Sequence, residues 1–348
     1  MGSSVTLHDV ARRARVSVAT ASRALNGSTT NRIVGEPLRA RVLQAARDLG
    51  YAPNAHAQAM AKGRTNVIGL SLHDITDPFF STVAAGVMHE ANARGLLVTM
   101  ASTERVPRAE IDYVRTFRSH LVSAIIVIGS RTVDRAVTDQ LADELAAFES
   151  EGGRAVAVTQ PRLPVDTVVI DNRGGARALA DALYALGHRR FAVLTGPKNI
   201  LTATERASGF RETLARRGCP PRPAHLVAGE FTRDGGYQAM IRLLAAGADV
   251  SCVFAVNDVM AIGAMAALRE RGYQLPGGMA VAGFDDIGVL RDVTPALSTV
   301  RLPLHDIGAR AVRLALDDGA GHPRTLHVRG DVMIRASTPP PSMMEPSR

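Results

Sequence analysis

Cysteine is nearly absent from this chain: Cys219 and Cys252 are the only two. Two thiols do not build a disulfide framework, and both are expected to pack as small apolar side chains. No run of about 18 consecutive apolar residues exists, so no membrane-spanning helix is expected. The N-terminus also lacks the apolar stretch of a signal peptide. These absences lead to the expectation of a soluble, cytoplasmic protein with no membrane partner. Catalytic signatures are missing too. No Gly-x-Gly-x-x-Gly opens a helix after a strand, no Gly-x-x-x-x-Gly-Lys loop is present to cradle phosphate, and there is no Gly-x-Ser-x-Gly elbow. The ten histidines are scattered, without the His-Glu-x-x-His spacing of a zinc site. An enzyme is therefore not expected, nor a metal or a cofactor.

What is present is a lopsided charge distribution. The chain has 348 residues, 46% hydrophobic, with a formal net charge of +8. That length suits a small domain joined to a larger body. Residues 1–65 hold ten basic residues (Arg12, Arg13, Arg15, Arg23, Arg32, Arg39, Arg41, Arg47, Lys62 and Arg64) against Asp9, Glu36 and Asp48, a balance of +7. Nearly the whole excess sits at one end, as expected of a phosphate-binding head on a near-neutral body.

Residues 6–26 read as two short helices joined by a tight turn. Thr6 suits an N-cap, Asp9 suits the positive helix end three residues on, and Leu7, Val10 and Ala14 form one apolar face. Ser17 caps a second helix whose Ala21, Ala24 and Leu25 face inward. Val18, Ala19, Ser22 and Arg23 are left on its outer, N-terminal side, where the second helix of a helix-turn-helix meets base edges. Arginine to guanine is the commonest specific contact, so Arg23 is the candidate base reader, with Val18 and Ala19 available to thymine methyls. Thr6, Ser17, Thr20, Ser22 and Asn26 are short polar groups suited to phosphates.

The pattern Leu-x-Asp-Val-Ala … Val-Ser-x-x-Thr-x-Ser-Arg-x-Leu-Asn resembles the N-terminus of the lac repressor family of bacterial transcription regulators. Arg15 stands in the turn where that family usually has Gly. A non-Gly residue held there at positive φ is strained by roughly 1 kcal/mol. Ala21 replaces the usual Val. A third helix is expected over Pro37–Leu49, stopped by Gly50, after a loop longer than the family's. The alanine-rich stretch 53–65 is too short for a stable isolated helix. The resemblance implies a hinge helix there that orders on DNA, with Asn54 among the DNA-binding residues and Met60 as an apolar wedge in the minor groove.

From Asn66 onward, strand-like runs (Val67–Leu72, Leu97–Ala101, Ala124–Ile128, Ala155–Val158, Val168–Ile170, Phe191–Leu194, Cys252–Ala255 and Val281–Phe284) alternate with helical stretches. This is the pattern of a doubly wound, parallel-sheet α/β body. Asp-Pro-Phe-Phe, Asp171-Asn-Arg-Gly-Gly-Ala, Asn257-Asp-Val-Met-Ala-Ile-Gly-Ala and Gly283-Phe-Asp-Asp resemble the same family's effector-binding core. The resemblance implies a two-lobed, periplasmic-binding-protein-like body crossed three times by the chain. The expected organisation is a head over 1–52, a hinge over 53–65 and a body over 66–337. Lobe 1 takes about 66–163 and 298–323, and lobe 2 about 164–297 and 324–337. Residues 338–348 are expected to be a disordered tail, too proline-broken for a tetramerising helix, so a homodimer is favoured.

Ligands of such sheets bind at the carboxyl ends of strands. That rule collects His73 and Asp74, Thr159 and Gln160, Asn257 and Asp285, with Arg206 opening a later helix. Carboxylate, amide and guanidinium suit a polyhydroxylated ligand, and Phe79 and Phe231 can supply apolar faces. In the resembled family Arg206, Asn257, Asp285 and Phe231 match effector-contacting positions. Asp258 is expected to N-cap its helix, Asp286 to be structural, and His188 to pack on a turn. The expected function is a DNA-binding transcriptional regulator, a repressor by preference. A sugar or sugar derivative would control its affinity for a pseudo-palindromic duplex operator at the nucleoid. A purine- or partner-protein-responsive regulator and a transporter's solute-binding protein are the alternatives.

Overall fold

A computed structural model describes residues 5–26, 34–51, 63–317 and 321–344. The chain divides into two units, Met1–Thr65 and Asn66–Arg348. Asn54 and Met60 of the expected hinge lie outside the described residues, as does most of the loop before the third head helix.

The first unit has α1 (Leu7–Arg13), α2 (Val18–Asn26) and α3 (Glu36–Asp48). Thr6 and Asp9 close a capping box: Thr6 Oγ1 accepts from the Asp9 amide at 3.4 Å, and the Thr6 amide donates to Asp9 Oδ2 at 3.0 Å. Ser17 Oγ accepts from the Thr20 amide at 3.1 Å and starts α2. Between the helices Arg15 sits at φ +50, the left-handed conformation that glycine adopts without strain. The core is small and alanine-rich, with Val10, Ala14, Ala21, Ala24, Val42 and Ala46 packed together.

In the second unit the first lobe holds β1 (Val67–Leu72), α4 (Pro78–Asn92), β2 (Leu97–Ser102), α5 (Pro107–Ser119), β3 (Ala124–Ile128), α6 (Arg135–Ser150), β4 (Arg154–Val158) and β5 (Asp166–Ile170). The second lobe holds α7 (Asn172–Ala185), β6 (Phe191–Leu194), α8 (Leu201–Arg216), β7 (Leu226–Val227), α9 (Arg233–Ala245), β8 (Cys252–Ala255), α10 (Asp258–Glu270) and β9 (Ala280–Ala282). Then come β10 (Thr299–Arg301), α11 (Leu304–Leu316), β11 (Thr325–Val328) and β12 (Asp331–Met333). The larger sheet is parallel in the order β11-β5-β4-β3-β1-β2, the smaller β7-β6-β8-β9, and β10 pairs antiparallel with β12 between them. Strands buried on both faces, such as the uninterrupted Ala-Ile-Ile-Val-Ile of β3, are what helices on both sides of a parallel sheet demand.

Two expected boundaries are corrected. The first crossing lies at Asp171, not near Leu163, because β5 pairs with β4 (Val158 opposite Val168) and belongs to lobe 1. The last lies at Val328–Asp331, because β11 adds beside β5 (Val328 opposite Ile170). Strand order in a parallel sheet depends on pairing partners distant in the chain, which a pattern of apolar runs does not encode. The tail is also shorter than expected. Thr338 is 1% exposed with Oγ1 at 2.6 Å from Ser298 Oγ, and Pro341–Met343 forms a 3-10 turn. Buried His188 holds this segment, with Nε2 donating to the Pro339 carbonyl at 3.0 Å and Nδ1 facing Ser251 Oγ.

Candidate DNA surface and effector cleft

In the first unit, the cap residue Ser17 and Ala19 of α2 are exposed, while Val18 is half-buried against the head core and offers only part of its side chain outward. Thr6 and Ser17 hydroxyls already serve the caps, Thr6 Oγ1 donating to Asp9 Oδ2 at 2.7 Å and Ser17 Oγ lying 2.8 Å from Thr20 Oγ1. Half-buried Arg23 folds along its own helix, Nε donating to the Ala19 carbonyl at 3.1 Å and Nη2 to Thr20 Oγ1 at 3.4 Å. Ser22 lies beside it on α2, half-buried. For Asn26 the backbone ends α2.

In the second unit a cleft opens between the lobes at the strand carboxyl ends. Its second-lobe floor is Arg206, 2% exposed and fully engaged. Nε donates to Asn172 Oδ1 at 2.8 Å, Nη1 to the Val256 carbonyl at 2.9 Å, and Nη2 to Asp285 Oδ1 at 2.8 Å. The guanidinium carbon stands 3.9 Å from the Phe284 ring centroid. Gly209, one turn along α8, lies so close to the Arg173 carbonyl of α7 that a Cβ would overlap it, and this close crossing sets Arg206 beside Asn172. Asp285 is held at φ +121, a strained position that its backbone bonds to Val300 and Leu302 enforce. Burial raises its carboxyl well above the ordinary carboxylate range, and the Arg206 guanidinium offsets only part of that rise.

Lobe 1 supplies the opposite wall. Half-buried His73 lies against Phe80 (ring centroids 5.7 Å apart) and against Gly129, where no Cβ would fit. Desolvation pushes its imidazole down to about 4, so the ring is neutral at pH 7. Asp77 N-caps α4, accepting from the Phe79 amide at 3.0 Å, and pairs with Arg105 Nη2 at 3.1 Å. The Arg105 guanidinium carbon stands 5.7 Å from both the Phe80 and the Phe231 centroids, and so spans the two lobes. Beneath the wall a buried Arg131–Glu110 pair, with contacts of 2.7 and 2.9 Å, donates from Arg131 Nε to Thr159 Oγ1 at 3.2 Å and from the Arg131 amide to Gln160 Oε1 at 2.8 Å.

The lobes also meet along backbone. The Val133 amide donates to the Asn199 carbonyl, the Leu201 amide to the Arg131 carbonyl and the Thr202 amide to Ser130 Oγ, all at 3.0 Å. Gln160 Nε2 donates to Thr202 Oγ1 at 3.0 Å. Helix α8 has no capping side chain of its own at Ile200, so lobe 1 satisfies the first amides of the helix that carries Arg206.

Of the expected effector residues, His73, Phe79, Thr159, Gln160, Arg206, Phe231 and Asp285 line this cleft, and Asn257 and Asp74 do not. Asn257 is the N-cap of α10, its Oδ1 accepting from the Met260 amide at 3.0 Å. An amide oxygen spent on a cap is turned away from ligand. Asp258, expected to be that cap, is instead the first helical residue and accepts from Thr299 Oγ1 at 2.7 Å and the Ile287 amide at 3.1 Å. Asp74 closes a local turn, accepting from Thr76 Oγ1 at 2.6 Å, and Asp77 is the acid that faces the cleft. Sequence reasoning missed Arg105, Ser130 and Asn172. Each follows the carboxyl end of a strand (β2, β3 and β5), so the strand-end rule applied to every strand would have found them. Among the described residues no group of three or more His, Cys, Asp or Glu side chains could hold a metal ion, and no helix is long and apolar enough to cross a membrane.

Comparison with known proteins covers both units. Residues 6–54 match the family described as bacterial regulatory proteins, lacI family, and residues 180–338 match a periplasmic binding protein-like domain. The HTH-type transcriptional regulator DegA of Bacillus subtilis (strain 168) is 30% identical over 343 residues, spanning 96% of this chain and 98% of DegA. A lac repressor dimer bound to operator and the anti-inducer ONPF superposes with a TM-score of 0.81 at 25% identity, over 97% of this chain and 100% of that one. A complex of the transcriptional regulator CelR with cellobiose superposes with a TM-score of 0.69 at 29% identity, over 96% and 99%. With a capped recognition helix in one unit and a two-lobed ligand cleft in the other, the chain belongs to the lacI family of bacterial regulatory proteins, which are DNA-binding transcriptional regulators and not enzymes.

Proposed function

We propose that the chain is a cytoplasmic repressor that binds a pseudo-palindromic operator as a homodimer and changes operator affinity when a small sugar occupies the cleft. One observation carries the reading: Arg206, Asp285 and Asn172 form a rigid polar floor facing Phe79 and Phe231. Hydroxyl pairs bind such a floor, and the C–H face of a sugar ring lies on such aromatics. Relatives with named ligands point the same way, since CelR is described with cellobiose. The dimer face we assign to the edge of the larger sheet. There Leu97 and Met100 on β2 and Met88 on α4 are 72%, 40% and 44% exposed, an apolar stretch that a free sheet edge does not keep in water. Met60 and Asn54 fall to the operator contact in the same reading, Met60 as a wedge.

Ligand shifts the lobes between two arrangements and so couples cleft to DNA. Calorimetry of the full chain against mono- and disaccharides, nucleosides and nucleobases tests the ligand class. Heat from a nucleobase and none from any saccharide would replace the sugar by a purine-like effector. Duplex binding should be strongly salt-dependent, falling by about 10³–10⁵ between 50 and 200 mM salt for six to ten phosphate contacts. A flat salt response would remove the DNA role from the basic head.

A further inference from the structure

The cations of the cleft are already spoken for. Its lining contains two, Arg105 and Arg206, and each faces a carboxylate of its own. Arg105 Nη2 lies 3.1 Å from Asp77 and 3.8 Å from Asp74, and Arg206 Nη2 lies 2.8 Å from Asp285. Glu205, bonded to two lining side chains, meets only amides, accepting from Gln160 Nε2 at 3.2 Å and Asn172 Nδ2 at 3.1 Å. His73 adds no charge at neutral pH. Arg131, which donates to the lining residues Thr159 and Gln160, is matched as well, by Glu110.

Building on the effector reading of this cleft, we propose that it takes an uncharged polyhydroxylated ligand and rejects the phosphate ester of the same molecule. A phosphate group entering here would find no free cation. It would either lie desolvated against Asp77 and Asp285 or pull a guanidinium from its partner, leaving a buried carboxylate unpaired. A hydroxyl meets the opposite situation. It donates to the second oxygen of Asp285 and to the remaining lone pairs of Asp77, whose two oxygens each already accept one bond. An ionised phosphate oxygen cannot do so. It also accepts from Arg105 Nε, which is buried and has no hydrogen-bond partner. One hydroxyl class thus satisfies both the leftover acceptors and the leftover donor.

The test is calorimetry on the full chain with matched pairs: glucose and glucose 6-phosphate, ribose and ribose 5-phosphate, cytidine and its 5′-monophosphate. In every pair whose parent binds, the ester should bind at least tenfold more weakly. An ester that equals or exceeds its parent overturns the proposal. Asp77→Asn keeps the cap oxygen on the Phe79 amide and leaves Arg105 only its longer 3.8 Å contact with Asp74, so the ester should gain at least tenfold relative to its parent. Asp285→Asn, whose amide tolerates positive φ, does the same for Arg206. Unchanged ester-to-parent ratios in both folded variants would overturn the charge-pairing argument even with esters excluded from the wild type. A panel in which neither parents nor esters give heat would sink the effector reading of the cleft, and this proposal with it.

Discussion

Arginine does opposite work in the two units. All but two of the chain's 41 basic residues are arginines, the lysines being Lys62 and Lys198. In the head the arginine side chains stay near water: those of Arg12 and Arg13 are 80% and 63% exposed, and Arg15, Arg39, Arg41 and Arg47 are exposed too. Their ion pairs, such as Arg12–Asp9 at 3.1 Å, are of the exposed, solvent-screened kind that contributes little. Exchanging such a partner for a DNA phosphate is nearly free. In the body Arg206, Arg131 and Arg105 lie inside ion-pair networks that nothing can replace without leaving a buried charge. A surface for a polyanion keeps its cations loose, and a cleft for a small neutral molecule fixes them in advance.

Removing one partner from each kind of site should expose the contrast most sharply. Asp285→Ala leaves the Arg206 guanidinium buried without its carboxylate. The body should lose about 3–5 kcal/mol of unfolding free energy in chemical denaturation. The effector response should vanish while salt-dependent duplex binding by the folded fraction persists. A body as stable as wild type would mean that the Arg206 bonds to Asn172 and Val256 suffice.

Acid should distinguish the regions next, because burial shifts the protonation of groups inside the body, His73 and Asp258 among them. Burial holds His73 at about 4, below its ordinary 6.5, so its contribution is full above pH 6.5 and is lost as pH falls towards 4. Asp258 runs the other way: burial raises it to about 6, so its contribution is full below 3.8 and is lost as pH rises through 6. Subtracting a His73→Gln variant isolates the histidine. The wild-type advantage should shrink by about 3 kcal/mol between pH 7 and 4. A difference independent of pH would place His73 in contact with water.

In the head a single substitution should matter less and only when DNA is present. Arg23→Ala should weaken operator binding by about 1–3 kcal/mol and relax preference at one base pair per half-site, read by anisotropy on cognate and random duplexes. Equal losses on both would make Arg23 a phosphate contact. The unfolding free energy should barely change, because the bonds of Arg23 to Ala19 and Thr20 lie at the surface of its own helix.

Local signals were the legible ones. Capping residues, apolar period and strand-end placement put the head helices, the main strands and seven of the nine expected cleft residues where the structure has them. Two kinds of information were not local. Whether a polar side chain at a strand end faces the ligand or its own helix is decided by one rotamer. Asn257 and Asp77 are both N-caps, yet only Asp77 also reaches the cleft, because its second oxygen meets Arg105. Which lobe owns β5 and β11 is decided by pairing across more than a hundred residues, Asp166–Ile170 beside Thr325–Val328. No periodicity within either segment carries that.

The smallest effect concerns strain. Both units hold a non-glycine residue at positive φ in a functional place, Asp285 at +121 in the cleft and Arg15 at +50 in the helix-turn-helix turn. Asp285 has an evident use for its strain, since that conformation aims the carboxylate at Arg206. Arg15 makes no such bond with its side chain exposed, so relieving its strain should carry no structural penalty. Arg15→Gly should stabilise the head by about 1 kcal/mol, seen as roughly fivefold slower hydrogen exchange of the α1 and α2 amides in the full chain. The DNA readout then decides why an arginine is kept there. If its charge reaches a phosphate, the same variant should bind duplex more weakly on every sequence, and its salt slope should drop by about 1. Slower exchange with an unchanged slope would leave the strain without a function, and the head would then lack the body's link between strain and site.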